Sequence, residues 1–431
     1  MMFRKHRGAS AAVGIALVGA LMTACASPAT PPSEDLVTDP AENSGEITFT
    51  TWWSYADEEL ISAFKEKYPN VEVNLDFVAI DAYPTKIQAL ASSGDLPDVF
   101  AAQAATLTGV ADAGKLYDLN DALESAAYEG DFDSWKDSFN PDLLSGANAG
   151  LEGASDHTWG VPFNAISVAS IYNQDAFAAA GVKPPTSFDE LLGNCEALAE
   201  AGYIPMSLTA QAWISWWVRL AWDQTMQDDA VADFSVDSPN YIKAFEIVEQ
   251  MANAGCWSDS QITTDIAAET SLFLQGKTAQ FVSVPENFLQ AVADGAGFPI
   301  STYVLPALDG KEPSRILGGG NANVIVVSED SPNKSAAIAF AKFLTSVSTQ
   351  ESLAASEYTI PSIEIDVASS NPLMSAYLEA ASQGFVDPSG YLPNITTPGA
   401  TKLDTEVLPS LMLGNISAAE AAAQTADIFE K

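Results

Sequence analysis

The chain has 431 residues and carries 57 Asp and Glu against 18 Lys and Arg, a formal charge of −39 at neutral pH. Charge of that sign and size disfavours nucleic acid and anionic lipid surfaces as partners by plain repulsion, and acidic residues spread over every segment describe a solvated surface rather than a cation site. Histidine is scarce and neither Cys195 nor Cys256 has a cysteine or histidine neighbour at the spacing zinc sites use, so no metal and no cofactor are expected.

At the N-terminus Arg4, Lys5, His6 and Arg7 precede an apolar run from Ala11 to Leu21, and Met22-Thr23-Ala24 lead into Cys25. The run is too short to span a bilayer. A basic start, a short apolar stretch and small residues before a cysteine resemble a bacterial lipoprotein signal. That resemblance implies a signal peptide over residues 1–24, lipidation of Cys25 and attachment to the outer face of the cytoplasmic membrane. An ordinary secretory signal is the alternative, and either one exports the chain. Loss of Arg4, Lys5 and Arg7 with the signal takes the charge from −39 to −42. Residues 25–45 hold Pro28, Pro31, Pro32 and Pro40 among Ser, Thr, Asp and Glu, the composition of an extended tether. The folded part is expected from Glu46, leaving about 385 residues, enough for two domains by the usual size relation.

The folded part reads as α/β. Ile47–Trp52 is β-rich, Asp57–Tyr68 places Leu60, Ile61, Phe64 and Tyr68 at helical spacing, and Val71, Val73, Leu75 and Phe77 alternate with polar residues as a strand does. A helix over Thr85–Ser93 and a strand at Asp98–Phe100 follow, so strand and helix alternate as in a sheet with parallel members and helical cover. Ligands of such sheets sit beyond the carboxyl ends of the strands, which points to Trp53-Ser54-Tyr55 and to Ala101–Thr106. Further on, Ala165–Tyr172 is β-rich, and helices are expected at Phe188–Ala201, Ile214–Gln224, Tyr241–Ala254 and Glu269–Leu274. Strands are expected at Thr278–Val284, Ser301–Leu305 and Val324–Val327. Ser331-Pro332 has the pattern of a capping hydroxyl with proline at the first helical position, opening a helix through Phe340 and Leu344.

Four tryptophans crowd into LTAQAWISWWVRLAWDQ, and Trp213, Trp216, Trp217 and Leu220 share one helical face. Packing accounts for such a stripe; so does a flat aromatic surface offered to the apolar face of a sugar. With Cys25 given to lipid, Cys195 and Cys256 make one candidate disulfide in an oxidising compartment.

The runs TFTTWWSYADEELISAFKEKYPNVEVNLDFV, KIQALASSGDLPDVF, GVPFNAISVASIYNQDAFAAAGVKPPTSFDELL, FLQGKTAQFVSVPENF and LGGGNANVIVVSEDSPNKSAAIAFAKFL, in that order, resemble the family 1 extracellular solute-binding proteins of carbohydrate ABC importers. The resemblance extends over nearly the whole mature chain. It implies a type II periplasmic-binding-protein-like fold of two α/β lobes, 46–166 with 306–361 and 167–305 with 362–431, closing on a neutral sugar or oligosaccharide. It further implies a monomer that delivers its ligand to the transmembrane subunits of an ABC permease and carries out no catalysis.

Placed residue by residue, the first lobe offers Trp53, Ser54 and Tyr55 after the first strand, Gln103 after DLPDVF, and Asn164 beside the crossing to the second lobe. The second lobe offers Trp213 and, next to it, Trp216. Glu286 and Asn287 stand where relatives often place a stacking tryptophan. Gly320 and Asn321, at the end of Gly318-Gly319-Gly320, are either a close backbone approach to ligand or a turn into a strand. Asp98, after Leu-Pro, is expected to bind backbone donors. Two rival classes remain. An exported glycoside hydrolase needs paired carboxylates, and nothing marks a pair; a serine hydrolase lacks G-x-S-x-G and has only His157 as base. The other is a binding protein for a different solute, such as a peptide, a polyamine or a cation; amines call for several acidic groups converging in the cleft.

Overall fold

The computed structural model describes residues 36–53, 56–79, 82–149, 151–207, 214–225, 238–264, 266–285, 289–315, 322–356, 359–365, 372–384 and 402–429. The signal, Cys25 and the first part of the tether lie outside these residues. Residues from Val37 onward form one compact unit, and two separate sheets within it mark two lobes.

The first lobe opens with β1 (Gly45–Thr51), α1 (Glu58–Lys67), β2 (Val71–Phe77), α2 (Tyr83–Ser93) and β3 (Val99–Gln103). The Asp57 carboxylate accepts from the Glu59 and Leu60 amides at 3.0 Å each, satisfying donors the first helical turn leaves free. Gly94 ends α2 in a left-handed conformation, φ 81°. Strands β1, β2 and β3 are parallel, and the sheet is completed by β4 (Gly160–Ala165), β8 (Ala322–Val327) and β9 (Ile360–Pro361) in the order β2-β1-β3-β8-β4-β9. Strand β8 runs antiparallel to both β3 and β4, so a segment that follows the second lobe in sequence sits at the centre of the first. Gly160 is required there, since a Cβ would lie 2.4 Å from a Val324 methyl. Phe49, Phe64 and Phe340 pack edge to face behind this sheet at 5.1–5.2 Å.

The expected single β stretch from Ala165 to Tyr172 is two strands. β4 ends at Ala165 in the first sheet, and β5 (Ala169–Asn173) begins the second, flanked antiparallel by β6 (Gln280–Ser283) and β7 (Ile300–Tyr303). The break is the first crossing between lobes. Helices α3 (Phe188–Glu200), α4 (Ile214–Thr225) and α5 (Pro239–Asn253) pack around this smaller sheet. Cys195 on α3 and Cys256 beyond α5 form the expected disulfide, with Cα atoms 4.7 Å apart in a fully buried setting.

Two expectations are corrected. Ser331 does not stand at the cap position: α6 runs Lys334–Leu344 with Asn333 there, and the Ser331 hydroxyl accepts the Asn333 amide at 3.2 Å in the turn before the helix while donating to Asp98 Oδ1 at 2.5 Å. The carboxylate of Asp98 also accepts from the Thr48 amide at 2.8 Å, the backbone-binding role expected of it. Order also begins before Glu46. The Val37 amide donates to Ser335 Oγ at 3.0 Å, and Asn43, 2% exposed, donates to the carbonyls of Val37 and Ser335. These bonds tie residues 37–43 to α6.

Candidate ligand cleft

The carboxyl edge of the six-stranded sheet gathers three amides. Gln103, the last residue of β3, is opposite Asn323 on β8, and Asn323 is opposite Asn164 on β4. Directly opposed residues of antiparallel strands point to the same face, so the three side chains form one row across strands roughly 4.8 Å apart. A bulge makes this possible. Pro162 pairs with Val324, yet Asn164 pairs with Asn323, so Phe163 is the extra residue. In an unbulged ladder Phe163 would face Asn323, and Asn164 would turn to the opposite face. The Phe163 carbonyl is satisfied by Gln350 Nε2 at 2.9 Å, and Gln350 Oε1 accepts the Ser362 amide at 3.2 Å, so one buried amide holds the bulge and the start of the return to the second lobe. Exposure falls along the row: Gln103 is exposed, Asn323 is 9% exposed and Asn164 is fully buried.

Aromatic residues stand at the same edge. Trp53 is 2% exposed, with its indole stacked on Phe163 at 4.2 Å and 17°. In this conformation its ring packs the floor of the edge and offers little area to a ligand. Its neighbour Trp52 is half-buried, meeting Trp53 at 5.6 Å and Tyr83 edge-on at 4.6 Å. Tyr83 is itself fixed, its hydroxyl donating to the carbonyls of Thr50 and Ala101, and burial pushes its phenol well above the ordinary range, keeping it a donor. The sequence places Trp53 in the cleft; β1 ends at Thr51, so Trp52 belongs to the same loop, and it is the less buried of the two. Asn323 belonged to the glycine-rich run in sequence, and only strand pairing places it between Gln103 and Asn164.

In the second lobe, α4 begins at Ile214. Trp213 lies outside the described residues, as do Ser54, Tyr55, Glu286, Asn287, Gly320 and Asn321, and the side chains of Trp216 and Trp217 are likewise outside them. The far half of α4 is described. Trp222 is fully buried, stacked on Tyr241 at 5.4 Å and 11°, edge-on to Phe245 at 5.7 Å, with Nε1 donating to the Tyr241 carbonyl at 3.1 Å. It builds the wall behind the helix, as its position half a turn from Trp213 predicts. Val218 and Leu220 join the same core.

Among the described residues no group of three metal-ligating side chains occurs, and no helix is long and apolar enough to cross a membrane. A family model described as bacterial extracellular solute-binding protein matches residues 44–351. No curated protein matches the chain in sequence. Among solved structures, the cyclic α-maltosyl-1,6-maltose binding protein of Arthrobacter globiformis is 18% identical, with TM-score 0.70 over 90% of this chain and 98% of that one. The ABC substrate-binding protein Lmo0181 of Listeria monocytogenes, in complex with cycloalternan, is 20% identical, with TM-score 0.67 over 90% and 98%. UgpB of Mycobacterium tuberculosis, in complex with glycerophosphocholine, is 18% identical, with TM-score 0.72 over 90% and 98%. At these identities the likeness is one of fold, the two-lobed periplasmic-binding-protein-like architecture.

Proposed function

Because the chain belongs to the bacterial extracellular solute-binding proteins, we propose that it captures a neutral sugar or oligosaccharide between its lobes and hands it, unaltered, to the transmembrane subunits of an ABC importer. The observation that carries this reading is the row of amides beside Trp52 at the sheet edge, in which Gln103 is exposed in this conformation and Asn323 and Asn164 are buried behind it. Each amide offers both a donor and an acceptor, which suits hydroxyl groups, and the row has no cation for a phosphate or carboxylate. An aromatic face beside neutral hydrogen-bonding groups is the composition of a site for a polyol with apolar ring faces. That the Arthrobacter and Listeria proteins bind cyclic oligosaccharides supports the same class; the glycerophosphocholine bound by UgpB is the natural counter-ligand to test.

Trp213, Trp216, Glu286 and Asn287 complete the site from the second lobe in this reading, with Ser54, Tyr55, Gly320 and Asn321 from the first. In this reading the first crossing stays near residue 166, and the later two fall beyond the expected boundaries at 306 and 362, since residues 308–315 are bonded to α4 and Ile363 bridges to Phe139 in the first lobe. The mature protein is a monomer tethered by lipid on Cys25. A mass spectrum of the mature N-terminus is expected to show acylated Cys25, and an unmodified N-terminus elsewhere contradicts the anchor.

Function is tested by thermal shift of the mature protein with maltotriose, xylotriose, chitotriose, their monosaccharides and glycerophosphocholine. A ligand that binds the folded state alone raises the melting temperature. A rise with a neutral sugar is expected; a rise with glycerophosphocholine alone overturns the sugar assignment.

A further inference from the structure

The second lobe contains a buried carboxylate that the ligand reading does not use. Asp223, in the last turn of α4, is fully buried. Its Oδ2 accepts the Arg315 backbone amide at 2.6 Å and the Ser314 hydroxyl at 3.1 Å, and its Oδ1 accepts from Arg315 Nη2 at 2.8 Å. Its neighbour Gln224 accepts the Leu308 amide through Oε1 at 2.5 Å. All of these partners lie on the segment that leaves β7 in the second sheet and arrives at β8 in the middle of the first. Leu305, 3% exposed, seats the start of the same segment in the core that holds Leu220 and Trp222.

The pair contributes little net stability, because the Asp223 carboxylate is taken out of water while the Arg315 side chain, 40% exposed, keeps much of its own, so desolvation of the one offsets a screened attraction to the other. An apolar contact would hold the segment on α4 as well. What the carboxylate adds is register: three donors from two consecutive residues converge on its two oxygens, so Arg315 can occupy one position along the helix only. From there the chain has six residues before Ala322 enters β8, one position from Asn323 in the amide row. The helix that follows the candidate platform Trp213 in sequence therefore holds the fixed end of a lobe crossing at its last turn.

We propose that Asp223 is a positioning residue that couples α4 to lobe orientation, fixing where the β7-to-β8 crossing leaves the second lobe. A sugar contact that moves α4 then moves the crossing with it, and through β8 the row of the first lobe. The proposal rests on the sugar-capture reading for its binding arm and is independent of it for its second arm.

The variants are Asp223→Asn, which keeps size and acceptor oxygen but loses the charge, and Arg315→Lys, which keeps the charge and the backbone bond. Both are compared with wild type at a temperature where melting curves show all three folded. With maltotriose, xylotriose and chitotriose as probes, Asp223→Asn is expected to raise Kd about tenfold, the scale on which residues between two sites alter their coupling. Compaction at saturation, read by small-angle scattering, should be reduced, and Arg315→Lys should remain near wild type. A lower melting temperature with unchanged Kd and full compaction overturns the proposal and leaves Asp223 a purely structural residue. If the wild type binds none of the probes, the sugar reading fails, and hydrogen exchange of the ligand-free proteins decides the coupling. Faster exchange in both residues 305–315 and β8 of Asp223→Asn supports it; a change confined to α4 and 305–315 overturns it.

Discussion

The six-stranded edge of the first lobe and the tryptophan helix of the second meet the same requirement by different means. At the sheet edge, side chains are brought together by strand register. Gln103, Asn323 and Asn164 come from positions 61 and 159 residues apart in sequence and become a row because β8 inserts between β3 and β4 and a bulge at Phe163 turns Asn164 toward it. On the helix, position follows from packing: Trp222 is locked between Tyr241 and Phe245, and Asp223 fixes the helix to the crossing. The comparison teaches that a row set by backbone hydrogen bonds tolerates loss of a side chain, whereas a helix set by packing transmits the loss to its other end.

The largest expected effect therefore falls on the helix. Trp222→Ala should cost ~3–5 kcal/mol of stability, as truncation of a buried aromatic does, measured by urea denaturation. A loss under about 1 kcal/mol, the range of exposed positions, would break the contrast. One residue before that helix in sequence, Trp213→Ala should leave stability close to wild type but weaken sugar binding by ~1–3 kcal/mol, the scale of a desolvated aromatic contact. The fluorescence response to sugar should shrink in that variant more than in Trp222→Phe. Normal binding with easy unfolding would make the whole tryptophan stripe packing. Smallest is Asn323→Ala at the sheet edge, expected to lower affinity by ~0.5–1.5 kcal/mol, the net worth of a hydrogen bond, with the fold intact because strand pairing does not depend on the side chain. Loss of folding would show that the row is structural.

Much of the fold was legible locally. β2 spans Val71–Phe77 as its alternation predicts, and α1 begins behind Asp57 because the carboxylate, the acidic first turn and the apolar spacing agree. Errors arose where a residue had a long-range alternative. Ser331 has the local features of a cap, yet the helix starts at Lys334, and the Ser331 hydroxyl bridges the Asn333 amide to Asp98, 233 positions earlier. Ala165–Tyr172 reads as one strand because periodicity does not register a change of sheet. In the candidate site, Gln103 and Asn164 follow from strand ends and from the family resemblance, but their adjacency needed β8 and the bulge, and no local pattern encodes a bulge whose carbonyl is held by Gln350. The expected strand runs through Trp52, whereas β1 ends at Thr51, so the loop begins one residue earlier than expected and includes Trp52. The Cys195–Cys256 bridge was reached by counting cysteines, and the approach of α3 to the end of α5 supplied what counting lacked.

The central claim, capture of a sugar by lobe closure without chemistry, is tested most directly by small-angle scattering of the mature protein with the best-binding neutral oligosaccharide, followed by recovery and mass analysis of that sugar. The account predicts a smaller radius of gyration at saturation and the sugar returned intact. Unchanged dimensions at saturation, or cleaved sugar whose formation disappears on replacing a single Asp or Glu, would contradict it.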